Sequence, residues 1–383
     1  MFDQKCMAAM AVLIMTATGA AAQTLNDPAI TSVTKPAVAA TSKPAAPGDY
    51  EVTVALRGTG ASASIWAEDR RLMTAPVALK AGEAKSIKVI VNVRNPYLAQ
   101  AEQDATKGPK VGLRGTEDKD FNWDDQLTMR VTGGELTGFE IAPATARRVL
   151  IAGDSTVADQ NGADYASWGQ MLPRFLDAKL SVANHARSGE TMKSFVTSLR
   201  WDKLLSELRS GDVVLIQFGH NDEKKQWPRT YAAVDSKQEG GGAYPAWLSA
   251  FVADVRQRGG QPVLVTPVAR RFFKDGKIEN SHAGYDAAVR NVARQLNVPL
   301  IDLTEKTTRM YEVLGPDVSP LAFAKGGEDK THHNAYGAYT IACYVAHDLT
   351  AFHDLKVGAA ADMPACSPDK PQDPKTFTIK LPE

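Results

Sequence analysis

From Arg148 onward, short apolar runs alternate with longer amphipathic stretches, and this alternation constrains the chain more than any other feature. Val149 to Ala152, Val213 to Phe218, Val263 to Val265 and Leu300 to Leu303 are mainly apolar, with Gln217 and Asp302 the exceptions, as befits strands buried on both faces. Ser181 to Asn184 supplies a fifth expected strand. Between and after them lie helix-period segments, Trp168 to Lys179, Ala246 to Arg258, Tyr285 to Leu296 and Tyr336 to Leu349. Strands that alternate with helices in this way predict a parallel sheet covered by helices on both faces.

The preceding hundred residues have a different period. Tyr50, Val52, Val54 and Leu56 alternate with polar or small residues, as do Ile87, Val89, Val91 and Val93, and then Leu127, Met129 and Val131. A period of two, broken by Gly-rich and Asp-rich turns, predicts a small antiparallel β-sandwich over residues 49–145. Residues 23–48, with Pro28, Pro36, Pro44 and Pro47 among Ala, Thr, Ser and Lys, read as a linker too poor in apolar surface to order itself. Residues 1–22 read as a cleaved secretory signal: Lys5, the apolar stretch Met7 to Ala17, and an Ala20-Ala21-Ala22 site. An uncleaved anchor is the competing reading. The expected destination is the periplasm or the medium, and no later run reaches membrane-spanning length.

At 383 residues the chain is long enough for two folded units. Its 44 basic and 44 acidic residues cancel, which excludes the global basic field of a nucleic-acid binder. Without Cys6, Cys343 and Cys366 are left; in an oxidising compartment a bridge and two free thiols both stand open. No clustered Cys/His pattern calls for a metal and no phosphate loop calls for a nucleotide, so no cofactor is expected.

In such sheets ligands collect beyond the C-terminal ends of the strands. The first strand ends in Gly153-Asp154-Ser155-Thr156, where glycine allows a sharp turn and backbone N–H groups at a helix start would suit a nucleophile that makes an oxyanion. The second leads to Arg187-Ser188-Gly189, and the third to Gly219-His220-Asn221-Asp222, whose Asn can offer an amide donor. Near the end come Asp329-Lys330-Thr331-His332-His333-Asn334; the three-residue spacing lets one turn carry a general base and the carboxylate that orients it. Each motif alone has a bland reading as an ordinary turn. Their order at successive junctions outweighs it.

These four blocks resemble those of the SGNH (GDSL-like) hydrolases, and the stretch from about Val149 to Ala346 resembles the rhamnogalacturonan acetylesterase branch. Gln217-Phe218-Gly219-His220-Asn221-Asp222, Thr266-Pro267-Val268-Ala269-Arg270-Arg271 and His332-His333-Asn334-Ala335-Tyr336-Gly337-Ala338 carry the closer likeness. Trp123-Asp124-Asp125-Gln126-Leu127 resembles the accessory sandwich ahead of some bacterial members. The resemblance implies a flavodoxin-like three-layer α/β fold over residues 146–355, with a tail at 356–383. It implies Ser155 as nucleophile, His332 as base and Asp329 as orienting acid, and an oxyanion hole of the Ser155 and Gly189 N–H groups with the Asn221 amide. The branch commonly shows Gly-Arg-Ser after the second strand where this chain has Gly189-Glu190-Thr191, so a sugar contact by that arginine does not carry over.

The activity so implied is removal of acetyl groups from a plant cell-wall polysaccharide, foremost acetylated rhamnogalacturonan or pectin, by a monomer. Arg270, Arg271 and His220 are expected substrate contacts, His220 equally as a brace for Asn221. Lys224 and Lys225 read slightly better as solvated loop charges, His333 as structural or solvent-facing, and Gly240 to Gly242 as a lip over the site. The alternatives are a lipase, thioesterase or general acyl esterase with the same machinery, or a non-catalytic carbohydrate-binding protein.

Overall fold

The computed structural model describes residues 41–99, 108–162, 164–235, 242–282 and 284–382. The expected signal, the start of the linker, and Gly240 and Gly241 of the expected lip lie outside these residues.

The N-terminal region is built from seven antiparallel strands, β1 (Thr41–Pro44), β2 (Gly48–Gly58), β3 (Ser64–Ala67), β4 (Arg71–Leu72), β5 (Ala84–Val93), β6 (Gln126–Thr132) and β7 (Gly134–Ala144). They form one sheet ordered β1-β6-β3-β4 and a second ordered β5-β2-β7. Val52, Val54, Leu56, Val89, Val91 and Phe139 of the second sheet share a core with Ile65, Ala67, Leu127 and Met129 of the first, which is the inward alternation read from the sequence. β1 corrects the expected linker, which was to reach residue 48. Ser42 meets the Thr128 hydroxyl at 2.8 Å, and Pro44 is tolerated because β1 is an edge strand. Backbone pairing orders β1, and Ala45 behind it enters the sandwich core.

The catalytic-side sheet is parallel, with β8 (Arg147–Gly153), β9 (Leu180–Asn184), β10 (Val213–Gln217), β11 (Gln261–Val265) and, after a hairpin of β12 (Phe273–Lys274) and β13 (Lys277–Ile278), β14 (Leu300–Ile301). Its order, β14-β11-β10-β8-β9, is the flavodoxin-like doubly wound order, with the switch point between β8 and β10. Alternate residues of each strand face opposite layers. Val149, Ile151, Val213, Leu215, Val263 and Val265 enter one core; Leu150, Ala152, Val214, Ile216 and Leu264 enter the other.

Helices α1 (Trp168–Met171), α6 (Leu303–Val318) and α7 (Ala335–Ala351) cover the first face. Helices α2 (Met192–Thr197), α3 (Arg200–Glu207), α4 (Ala243–Gln257) and α5 (Tyr285–Gln295) belong to the second. Two local outcomes differ from expectation, and one open question closes. α1 lasts one turn and tightens to a 3₁₀ segment over Leu172–Phe175, because Pro173 has no N–H for an α-helical bond. β14 stops at Ile301 because Asp302 turns the chain into α6, its carboxylate accepting from Glu305 N–H at 3.1 Å. The C-terminal tail packs against the α/β core through Met363, Phe377, Ile379 and Leu381, and Cys343 and Cys366 are bridged. Among the described residues no helix is long and apolar enough to cross a membrane.

Candidate active site

Strand β8 delivers Ser155 to the switch point on a turn, and the helix expected directly behind it begins only at Trp168. Asp154 builds this turn: its Oδ1 accepts from Thr156 N–H at 2.9 Å and from the Thr156 hydroxyl at 2.8 Å. Burial pushes the Asp154 carboxyl up, against those two hydrogen bonds, which pull it down. Glycine is required at 153, since a Cβ there would lie 2.7 Å from Val157 Cγ2 and 2.9 Å from the Gln217 carbonyl oxygen. Gln217, at the end of β10, ties the neighbouring turns by donating to Thr156 Oγ1 at 2.7 Å and accepting from Trp168 Nε1 at 2.9 Å.

The loop before α7 brings His332 to the same place. Its Nε2 lies 2.9 Å from Ser155 Oγ, and its Nδ1 lies 3.0 Å from Asp329 Oδ2. Asp329 Oδ1 accepts from the N–H groups of Thr331 and His332 at 2.7 and 2.8 Å, so one turn fixes both acid and base. Partial burial would raise the Asp329 carboxyl, but the His332 ring and these N–H donors outweigh it and hold it well below the usual carboxylate range. At neutral pH it is an anion facing Nδ1, which places the proton there and leaves Nε2 as the acceptor toward Ser155. The Tyr165 ring stands edge-on to His332, with centroids 5.8 Å apart.

The Gly189 and Asn221 turns, expected to supply oxyanion donors, are joined to each other by side-chain hydrogen bonds. Gly189 follows β9 with φ of +78°, a left-handed conformation that costs a side-chain-bearing residue about 1–2 kcal/mol. Among the described residues neither the Ser155 nor the Gly189 N–H donates to another protein group. Asn221 Nδ2 donates one hydrogen to the Glu190 carbonyl at 2.9 Å, and its second remains for another acceptor. Asp222 holds the two turns together, accepting from Met192 N–H and Gly219 N–H, each at 3.0 Å. Burial, with the Asp154 charge adding to it, raises the Asp222 carboxyl to about 7.

The expected substrate contacts fare differently. His220 is 2% exposed and packs edge-on against His282 at 4.6 Å, with neither ring nitrogen hydrogen-bonded among the described residues. Burial drives its pKa well down, so it is a neutral buried ring beside Asn221. Arg270 pairs with Glu223 at 2.6 Å and donates to Ser281 Oγ and to the His220 carbonyl. Arg271 donates to the Gly327 carbonyl at 2.5 Å and lies over Phe323. Both guanidinium groups brace loops; their β11-end position signalled proximity, but their acidic and carbonyl partners were not visible in the motif. His333 is buried, with Nε2 2.6 Å from the Tyr311 hydroxyl, and burial lowers its pKa to about 3.

Sequence reasoning named Lys224 but missed the ring beside it, and gave no role to Lys325, Lys330 or Phe272. Lys224 lies 4.0 Å from the Trp227 ring centroid and Lys330 lies 5.7 Å from that of Phe272, which is 37% exposed. Lys325 sits beside Tyr165. For Trp227, Lys325 and Lys330 the signal was there, within a few positions of Asn221 or Asp329; for Phe272 and Tyr165 there was none. Among the described residues, three potential metal-ligand side chains cluster at Cys343, His347 and Cys366, where the disulfide already joins two of them.

The GDSL-like lipase/acylhydrolase family model matches residues 151–338. The rhamnogalacturonan acetylesterase RhgT of Bacillus subtilis (strain 168) is 35% identical over 216 residues, which span 53% of this chain and 89% of that protein. The probable rhamnogalacturonan acetylesterase YesY of the same organism is 33% identical over 207 residues, spanning 53% of this chain and 93% of its own. A crystal structure of the Bacillus subtilis protein YxiM is 23% identical, with a TM-score of 0.48, covering 81% of this chain and 79% of that one.

Proposed function

Since the chain belongs to the GDSL-like lipase/acylhydrolase family, in the rhamnogalacturonan acetylesterase-like branch of the SGNH hydrolases, and is a carboxylic ester hydrolase, we propose that it is an exported serine esterase that deacetylates a pectic polysaccharide. One observation carries this reading: the continuous hydrogen-bonded relay from Ser155 Oγ through the His332 ring to Asp329, at 2.9 and 3.0 Å.

In the proposed cycle His332 Nε2 takes the Ser155 proton as Oγ attacks an acetyl carbonyl. The negative charge that develops on the carbonyl oxygen is received by the N–H groups of Ser155 and Gly189 and the free hydrogen of Asn221 Nδ2. The tetrahedral adduct collapses, and the sugar oxygen leaves with the proton from His332. Water then gives a proton to His332 as it attacks the acetyl-enzyme, and the second adduct breaks its bond to Ser155 Oγ, which takes that proton back from His332 as acetate leaves. Asp329 stays ionised throughout and steadies the imidazolium.

The substrate assignment draws on the likeness to the rhamnogalacturonan acetylesterases RhgT and YesY and on the basic and aromatic residues near the site. Exposed rings can stack on sugar faces, and Lys224, Lys325 and Lys330 can meet galacturonate carboxylates. The same reading includes the signal at 1–22, the sandwich ahead of residue 146, the catalytic region at 146–355 and a monomeric state. Acetate release from acetylated rhamnogalacturonan, homogalacturonan and xylan, beside p-nitrophenyl esters of rising chain length, tests it. Acetylated pectic substrates should lead, and activity should fall beyond acetate. A rise with acyl length would favour the lipase or thioesterase alternative.

A further inference from the structure

The Gly189 turn is held from outside the α/β region. Arg114, in the segment between β5 and β6, reaches across and donates from Nη2 to the Ser188 carbonyl at 3.1 Å and to Glu190 Oε1 at 2.6 Å. Its two acceptors bracket Gly189. Glu190 is 1% exposed, and Arg200 of α3 grips the same Oε1 at 3.2 Å. Glu117, also 1% exposed, completes the group: it accepts from Arg200 at 2.6 Å, Arg114 N–H at 3.0 Å and Trp123 Nε1 at 3.2 Å, and lies 3.6 Å from Arg187 Nε. Buried carboxylates at this density persist only when paired and hydrogen-bonded, so the turn's geometry and the network's geometry are one.

The departure from Gly-Arg-Ser to Gly189-Glu190-Thr191 acquires a physical account here. Glu190 is an acceptor for two arginines, one of them supplied by the β-rich region. Its backbone carbonyl receives Asn221 Nδ2 at 2.9 Å. A shift of Glu190 therefore moves two donors of the oxyanion hole together, the Gly189 N–H and the Asn221 amide.

We propose that Arg114 is a positioning residue for the ester hydrolysis, through which the β-rich N-terminal region holds the oxyanion turn in its working geometry. This rests on the reading of Gly189 and Asn221 as oxyanion donors. The N-terminal region is then a working part of the catalytic centre, although Ser155, Asn221, Asp329 and His332 all lie outside it.

The test uses Arg114→Ala and Arg114→Lys in the full chain, with kcat and KM measured on an aryl acetate too small to reach the sandwich, and melting temperatures measured alongside. A donor displaced by about an ångström costs up to about 100-fold in rate, so Arg114→Ala should lose about 10- to 100-fold in kcat with KM held within about twofold. Arg114→Lys, whose ammonium can meet the same oxygens, should recover part of that loss at an unchanged melting temperature. A folded Arg114→Ala with wild-type kcat overturns the inference. So does a loss of kcat that the lysine variant shares in full and that follows a fall in melting temperature. Ser155→Ala run beside them separates the two levels: turnover surviving there sinks the serine reading itself, whereas its abolition together with an unaffected Arg114→Ala sinks only the inference.

Discussion

Replacing Asp329 by asparagine exchanges one carboxylate oxygen for an NH₂ group and should disable the relay while sparing the fold. In the native turn Oδ1 accepts from the Thr331 and His332 N–H groups at 2.7 and 2.8 Å, while Oδ2 faces His332 Nδ1 at 3.0 Å. The asparagine carbonyl must stay on the two N–H donors. Flipping it would set an NH₂ group against both and forfeit two hydrogen bonds, at about 1–3 kcal/mol for each donor left unsatisfied. The amide NH₂ therefore faces Nδ1 and donates to it, so the imidazole carries its proton on Nε2. That proton points at Ser155 Oγ, and the nitrogen that should accept is already occupied. Loss of the correct tautomer typically costs about 10⁴-fold in kcat, which is about 5 kcal/mol of barrier. Initial rates on an aryl acetate at neutral pH, with circular dichroism and thermal melting to verify the fold, measure it. A folded Asp329→Asn enzyme within tenfold of wild type would mean that this carboxylate does not set the tautomer.

Asn221→Ala removes a single donor and should fold normally but lose about 10²- to 10³-fold in kcat, read by the same assay; unchanged turnover would remove Asn221 from the oxyanion hole. His333 is neutral in the fold, with a pKa near 3 against about 6.5 when unfolded, so its contribution to stability is present above about pH 6.5 and is lost as pH falls toward 3. His333→Gln should accordingly flatten the loss of stability between about pH 6 and pH 4 by about 1.4 kcal/mol per pH unit, measured by urea unfolding; an unaltered slope would refute the neutral assignment. Cys343 and Cys366 close a loop with a sequence separation of 23, so their replacement by serine should cost about 3 kcal/mol and lower the melting temperature, with kcat preserved below it.

Three of the four turns were legible because each follows a strand buried on both faces, where an apolar run ends abruptly in polar residues, and the fourth, Asp329 to His332, because acid and base lie three residues apart just before a helix. Strand β8 ends at Gly153 and β10 at Gln217, and the polar residues behind them meet at the switch point. What stayed hidden was carried by long side chains whose partners are remote in sequence. The Arg70 side chain donates from the sandwich to the carbonyls of Gln160, Gly162 and Tyr165, about ninety residues away. No periodicity encodes that reach. Arg270 looked like a sugar contact because its position is right, yet Glu223 neutralises it across the crevice mouth. Helix α3 escaped notice for another reason: Leu199 turns into it at φ of +61° with no side-chain cap, while α6 is interrupted by Gly315 and Pro316 despite its Asp302 cap.

The most direct measurement is the mass of peptides from enzyme quenched during turnover of an acetyl ester. The account predicts one added acetyl group on the peptide bearing Ser155, absent when Ser155 is alanine and lost on further incubation with water. Acetylation at another residue, or steady acetate release by the Ser155→Ala protein with no acetylated peptide, would contradict it.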